Sequence, residues 1–363
     1  MARVMVKNLT KKFGKITAVN RLNLEVEDKE FVCLLGPSGC GKTTTLRMIA
    51  GLEVPDEGEI YIGDELVNDL TPAERDTAMV FQFYALYPTL TVNDNLAFPL
   101  RTQKTPKDEV DRRVREVADI LGVTKILNLR PEQLTPGESQ RVAIGRAIIR
   151  RPRVYLLDEP LTNLDAKLRA RMRAELKRLQ KELGQTAIYV THDQLEAMTM
   201  ADKIAVMNQG VLQKYDAPQN VYNHPNNLFV AGFIGSPSMN FLECTLREMD
   251  DKLSLDSGEF QLDVTEFREI VLKEVESKET ILGIRPEHIS IGSKPSGPYT
   301  FQGEVYVVEP LGDQTILDFK IGDNIVKAIV SPHFKADVGD KLWLSFSKDK
   351  FHIIDKRTEK VVL

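Results

Sequence analysis

Short, unbroken apolar runs alternate along this chain with longer stretches in which apolar residues return every third or fourth position. Phe31–Leu35, Val154–Leu157, Ala187–Val190 and Ile204–Met207 are such runs, bounded by charge, glycine or turn residues. Runs this short and continuous predict buried strands. From Lys107 to Leu121 the apolar positions are Val110, Val114, Val117, Ala118 and Leu121; Leu168, Met172, Leu176, Leu179 and Leu183 repeat that spacing. Both stretches predict helices with one apolar stripe and a charged opposite face. Thr44–Ala50 predicts a further helix, closed by Gly51. Strands alternating with helices imply an α/β layered domain around a mostly parallel sheet. Gln82 to about Arg150 is mainly helix and loop, which predicts a helical subdomain inserted between strands.

The texture changes near Gly235–Asn240. Beyond it come short alternating runs at Thr315–Lys320, Leu342–Phe346 and Phe351–Ile354, separated by turns such as Gly312-Asp and Gly339-Asp. These predict a smaller all-β, barrel-like domain. A chain of 363 residues exceeds what one core usually serves, so two domains are expected, 1–235 and 240–363.

Composition narrows the function classes. Net charge is −5 and 28% of residues are charged, which gives no support for nucleic-acid binding through bulk charge. The Lys/Arg-rich stretch Lys167–Lys181 reads as the solvated face of a helix. No apolar run approaches the roughly 18–20 residues that cross a bilayer, and the first residues lack a secretory signal pattern. Any membrane role is therefore expected to be peripheral. Cys33, Cys40 and Cys244 show no paired spacing, which fits a reduced, cytoplasmic setting.

The candidate chemistry begins after the first buried strand. Gly36, Pro37, Ser38, Gly39, Cys40, Gly41, Lys42, Thr43 and Thr44 fit the pattern of a glycine loop that opens a helix and closes backbone N–H groups around phosphates. Lys42 can reach the outer phosphates and the Thr43 hydroxyl can bind a divalent cation. Asp158 and Glu159 end another apolar strand, at the edge where open α/β sheets place ligands. Asp158 is the expected cation holder and Glu159 the expected base for an attacking water. Alone, Asp-Glu-Pro is equally a turn; after a phosphate loop the chemical reading prevails. Gln82 and His192 are weak signals singly, since a lone Gln is usually surface and a lone His usually structural. Each follows an apolar run, so each is placed where strands deliver residues to phosphates. An amide suits water or cation coordination, and an imidazole suits a bond to the terminal phosphate. Phe13 is either an exposed ring that stacks on a base or a core residue.

With Leu134–Glu138 between Gln82 and Asp158, these motifs follow one order that resembles the ATPase subunit of an ATP-binding-cassette (ABC) transporter. The resemblance covers roughly the first 235 residues motif by motif. It implies Walker A at Gly36–Thr43, the Q-loop at Gln82, the signature at Leu134–Glu138 and Walker B at Val154–Glu159. It also implies the D-loop at Asn163–Asp165, the switch histidine at His192 and adenine stacking at Phe13. Two such domains pair head to tail in that family, so Thr135, Gly137, Glu138 and Asp165 would meet the nucleotide of a second ATPase subunit. A homodimer is favoured over a heterodimer, because symmetric oligomers are the common case.

The resemblance is closest to maltose/trehalose and multi-sugar importers, through Thr199–Ile204, Phe229–Pro237 and Gly283–His288. It implies ATP and Mg²⁺, integral permease subunits, an extracytoplasmic solute-binding protein acting indirectly, and a place on the cytoplasmic face of the membrane. The β domain would be regulatory. Polyamine, glycerol phosphate or an inorganic anion remain alternative cargoes. A soluble ABC ATPase of repair or ribosome type remains an alternative class, although such proteins carry a coiled-coil insertion or two cassettes and this chain has one phosphate loop. The signature departs from the usual Leu-Ser-Gly-Gly-Gln. Thr-Pro-Gly-Glu instead reads as a capping box with proline at the first helical position.

Overall fold

A computed structural model describes residues 2–81, 85–162 and 164–363. The chain forms two compact units, Met1–Gln219 and Asn220–Leu363.

Among the described residues, the first unit carries two sheets. β3 (Phe31–Leu35), β6 (Thr77–Val80), β7 (Val154–Asp158), β8 (Thr186–Thr191), β9 (Lys203–Asn208) and β10 (Val211–Asp216) make a six-stranded sheet in the order β10-β9-β3-β8-β7-β6. All pairings are parallel except β9 with β10. β3, β7 and β8 are buried at every position. That burial on both faces is why their sequences run apolar without alternation. Register sets Leu35 beside Thr191, and Asp158 beside Val190. The residues that follow β3, β7 and β8 therefore emerge at one edge.

The second sheet is antiparallel, in the order β2-β1-β4-β5, from β1 (Val4–Phe13), β2 (Ile16–Val26), β4 (Glu57–Ile62) and β5 (Glu65–Leu66). Leu22, Leu24 and Val26 of β2 are buried in alternation with exposed Asn23 and Glu25, whereas β1 breaks its pattern. The β1–β2 register shifts between Val6 and Leu9 and again on either side of Lys11, and Asn8 has a positive φ of 50°. Bulges of this kind break the period-two pattern that marks a strand. Val4, Val6, Ile60 and Ile62 nevertheless share a core with Met48, Ile49, Leu34 and Leu156.

α1 (Lys42–Ile49) follows β3. The inserted helices are α2 (Val92–Thr102), α3 (Lys107–Ile120) and α4 (Pro136–Ile148). Val110, Val114, Val117 and Ala118 of α3 are buried, as their spacing predicts. Gly145 lets α4 approach closely, since a Cβ there would lie 2.6 Å from Leu96 and 2.8 Å from Leu121. α5 (Ala166–Leu183) buries Met172, Leu176 and Leu179 and leaves most of its basic residues toward solvent. α6 (Gln194–Met200) completes this unit.

Unit two is built on two five-stranded antiparallel sheets around one core that includes Leu255, Ile284, Phe301, Phe319 and Ile353. The expected runs near 315, 342 and 351 are strands at Thr315–Ile321, Lys341–Ser345 and Phe351–Asp355. The compact units part earlier than the change of texture at 235–240. Arg285, almost fully buried, donates to the carbonyls of Tyr222 and Ile234, and Leu228 N–H donates to Glu359 O. These bonds tie residues 222–234 to the second unit.

Candidate functional site

The loop after β3 is shaped by close backbone contacts. A Cβ on Gly36 would lie 2.2 Å from Met207 O, and one on Gly41 would lie 2.3 Å from Ala18 O. Gly41 also has a φ of 101°, a region costly for other residues. The loop then delivers α1 with its first N–H groups free of helical partners. Lys42 Nζ donates to Gly36 O and Pro37 O, both at 2.8 Å. It lies 3.7 Å from the Cys40 sulfur, and burial pushes that thiol pKa up, so Cys40 is a neutral small residue here.

Thr43 Oγ1 donates to Asp158 Oδ1 at 2.9 Å. Asp158 is buried, and that burial raises its carboxyl pKa, opposed by the Thr43 bond and the nearby charges of Lys42 and Arg47. A hydroxyl and a buried carboxylate are hard oxygen donors, and Mg²⁺ is usually held by one or two such groups together with phosphates. The pair fits that ion. Among the described residues no group of three or more His, Cys, Asp or Glu offers a closed metal cage.

Glu159 has a φ of 45°, a left-handed backbone that costs a non-glycine residue roughly 1–3 kcal/mol. Its N–H donates to Val190 O at 3.0 Å, which pins it to β8. Its Oε2 lies 3.3 Å from His192 Nδ1 and 3.3 Å from Thr162 Oγ1. The backbone at 159 thus sets its carboxylate beside the His192 imidazole at the phosphate loop. Ser38, Lys42, Thr43, Glu159, Thr162 and His192 are among the residues around one cleft of about 490 Å³. A carboxylate and an imidazole beside a ring of N–H donors can bind an anion and take a proton from water.

Of the other residues expected at the site, Gly39, Gly41 and Thr44 line the cleft. Gln82 and Asn163 fall outside the described residues. Phe13 ends β1, half exposed, with Lys11 Nζ 5.3 Å from its ring centre. It is therefore not a core residue. It stands on the hairpin that leads to Ala18, a wall of the cleft.

Thr135, Gly137, Glu138 and Asp165 do not line that cleft. They sit at the starts of α4 and α5. Thr135 Oγ1 accepts from Glu138 N–H at 3.3 Å, while Glu138 Oε2 accepts from both the N–H and the hydroxyl of Thr135 at 2.8 Å. Those bonds hold the Glu138 carboxyl pKa below its usual value. The capping box is thus present, and it engages the Thr135 hydroxyl. Asp165 Oδ1 caps α5 through Leu168 N–H at 2.9 Å. A Cβ on Gly137 would meet Leu164 at 3.3 Å, so the two helix starts are neighbours. Thr162 and Ala18 were not expected at the cleft, and no motif around them marks them.

The fold and cleft define a P-loop ATPase of the ABC class. Residues 19–162 match the ABC transporter family, 235–289 the MalK OB fold domain and 282–354 the TOBE domain. The trehalose/maltose import ATP-binding protein MalK of Thermococcus litoralis is 51% identical, with 100% of each chain covered. The xylose/arabinose import ATP-binding protein XacK of Haloferax volcanii is 46% identical, covering 99% of this chain and 94% of that one. A solved ABC cassette, a dimer in a post-hydrolysis state with ADP and Pi, shares 35% identity over 59% of this chain and 98% of its own, with a TM-score of 0.55. The chain belongs to the ATP-binding subunits of ABC importers, ATPases coupled to solute import that dimerise and work with membrane permeases. Its second unit, mainly β, contains the OB/TOBE part of that architecture.

Proposed function

We propose that this chain powers the import of a sugar, with hydrolysis at the cleft between the phosphate loop and the Glu159–His192 pair. The observation that carries the site is that pair, held at 3.3 Å above the loop. The cargo reading rests on relatives named for trehalose/maltose and xylose/arabinose import. A relative named for sn-glycerol-3-phosphate import is 44% identical, which marks the competing cargo class. Co-purifying the permease and solute-binding protein, then measuring uptake of labelled disaccharide, pentose and glycerol phosphate, decides between them.

In this reading Lys42 turns from the loop carbonyls to the outer phosphates of ATP. Glu159 orients the attacking water and takes its proton; His192 hydrogen-bonds the terminal phosphate and steadies Glu159. Gln82 would be a further cation and water ligand. Phe13 stacks on adenine. Thr43 and Asp158 would hold Mg²⁺, which supplies charge neutralisation at the phosphates. No described helix is long and apolar enough to cross a membrane. Attachment is then to permease subunits on the cytoplasmic face, with the solute-binding protein acting only through them.

The permease is expected at the segment Phe83–Pro88 and the helices after it, of which Phe83 and Tyr84 lie outside the described residues. Ala85, Tyr87, Phe98 and Arg146 line a cleft of about 410 Å³. Buried Asn95 holds its loop by bonds to Tyr87, Leu90 and Thr91, and Arg146 lies 4.3 Å from the Tyr87 ring. A largely apolar wall with Arg146 and Arg150 at its edge suits a short permease segment ending in a carboxylate or helix C-terminus. Ala85→Glu or Leu86→Glu is expected to abolish solute uptake in vesicles while the separate chain keeps its ATPase rate. Normal uptake would remove this docking site.

The signature is expected to act weakly. A Thr135 hydroxyl already engaged by Glu138 and a missing N–H at Pro136 oppose closure on a second subunit's ATP, while the cap holds the Glu138 carboxylate back on Thr135. A slow homodimer follows, in preference to a heterodimer, because the rest of the site is complete. Pro136→Gly with Glu138→Gln should raise the steady-state ATPase rate severalfold. An unchanged or lower rate would mean that the capping-box loop serves the terminal phosphate as it stands.

A further inference from the structure

His192 exposes 55% of its side chain. Packing on the imidazole itself is therefore slight, and its aim over Glu159 must come largely from its backbone. That backbone is held from behind by a buried polar cluster. Glu196 on α6 is only 4% exposed. Its Oε2 accepts the Tyr189 hydroxyl at 2.8 Å and the Thr191 hydroxyl at 2.7 Å. The Thr191 oxygen in turn accepts the N–H of Asp193 at 2.9 Å. A hydroxyl has one proton, so committing it to Glu196 turns a lone pair toward Asp193. The peptide between His192 and Asp193 is thereby fixed in orientation.

A second strut leaves the other side of the same turn. Asp193 Oδ1 accepts from the N–H groups of Leu195 and Glu196, and Asp193 Oδ2 lies 3.7 Å from Arg169 Nη1. Arg169 Nη2 donates to Leu164 O at 3.0 Å and to Thr162 O at 3.3 Å. The Thr162 hydroxyl then reaches Glu159. The bonds close a loop that runs from the back of His192 to the front of Glu159.

We propose that Thr191 and Glu196 are positioning residues for hydrolysis: the buried carboxylate orients one hydroxyl, and that hydroxyl sets the peptide that aims His192 at Glu159. The inference rests on the reading of Glu159 and His192 as the catalytic pair. Tyr189 supplies the internal control. It binds the same carboxylate oxygen but has no bond to the turn that carries His192. A merely structural Glu196 would need both hydroxyls alike, whereas a positioning Glu196 needs Thr191 for turnover.

The test compares Thr191→Val, Thr191→Ser, Tyr189→Phe, Glu196→Gln and His192→Ala in the purified full chain, by kcat, KM for ATP and Tm. Thr191→Val is expected to lower kcat roughly 10-fold with KM within about twofold, since one oriented hydrogen bond behind the reacting groups is lost. Thr191→Ser keeps the hydroxyl and should restore kcat. Tyr189→Phe should lose thermal stability comparable to Thr191→Val yet turn over close to the parent. Glu196→Gln should fall between Thr191→Val and the parent, because an amide oxygen can take the place of Oε2 and accept both hydroxyls, though less strongly than a carboxylate. Equal losses of kcat in Tyr189→Phe and Thr191→Val would overturn the proposal in favour of simple bracing between β8 and α6. A loss in His192→Ala alone, with Thr191→Val at parental kcat, would also overturn it while leaving the catalytic pair standing. Full activity in His192→Ala would instead bring down the reading of the pair, and the positioning role with it.

Discussion

Glu159→Gln is expected to leave ATP bound while slowing hydrolysis by roughly 10²–10⁴-fold, the usual contribution of a general base. The carboxylate is the proton acceptor best placed in the cleft, 3.3 Å from His192 Nδ1 and bonded by Thr162. The amide has the same shape, so the left-handed backbone at 159 and its bond to Val190 O can persist. Only basicity is removed. Nucleotide affinity, read by equilibrium binding, should stay close to the parent while single-turnover hydrolysis collapses. A Gln variant that hydrolyses ATP at the parental rate would show that another group takes the proton.

Lys42→Ala has the second largest expected effect, and it falls on binding. The ammonium donates to Gly36 O and Pro37 O, a cation resting on its own loop until phosphates compete for it. Charged hydrogen bonds to phosphate are stronger than those to neutral carbonyls. Their loss should weaken ATP binding by roughly 10–100-fold, the span of one or two such bonds. Thermal denaturation with and without nucleotide separates this from misfolding: the variant should unfold near the parent's Tm alone but gain little from millimolar ATP. Parental affinity in a folded Lys42→Ala protein would place the phosphates elsewhere. The two variants would thus divide the site, a loss of binding at Lys42 and a loss of turnover at Glu159.

The motifs were legible because each is local. A continuous apolar run, a glycine loop and a helix start lie within one stretch of chain, so Phe31–Ile49 declares strand, loop and helix without help from the rest. The capping box at Thr135–Glu138 is equally local, a pattern of four residues whose bonds close on themselves. The apolar stripes of α3 and α5 follow from helical spacing alone.

What the tertiary structure decided are relations between distant segments. Thr43 meets Asp158 because β3 and β7 both flank β8 in one parallel sheet. Glu159 meets His192 because the β7–β8 register sets Asp158 beside Val190. Bulges interrupt the alternation of β1, whereas Leu22–Val26 of β2 carries it, so only part of the antiparallel sheet was open to reading. Phe13 as core or surface depends on which strand covers it, and half of it is exposed. Gly36 and Gly41 stand out in the sequence as a loop signature, yet the physical demand at both comes from afar, from the carbonyls of Met207 and Ala18. By itself the sequence determined the parts and their chemical types, through short-range periodicity and turn chemistry. The distances among those parts arise only when the sheet registers its strands, because no local pattern encodes which strand lies next to which.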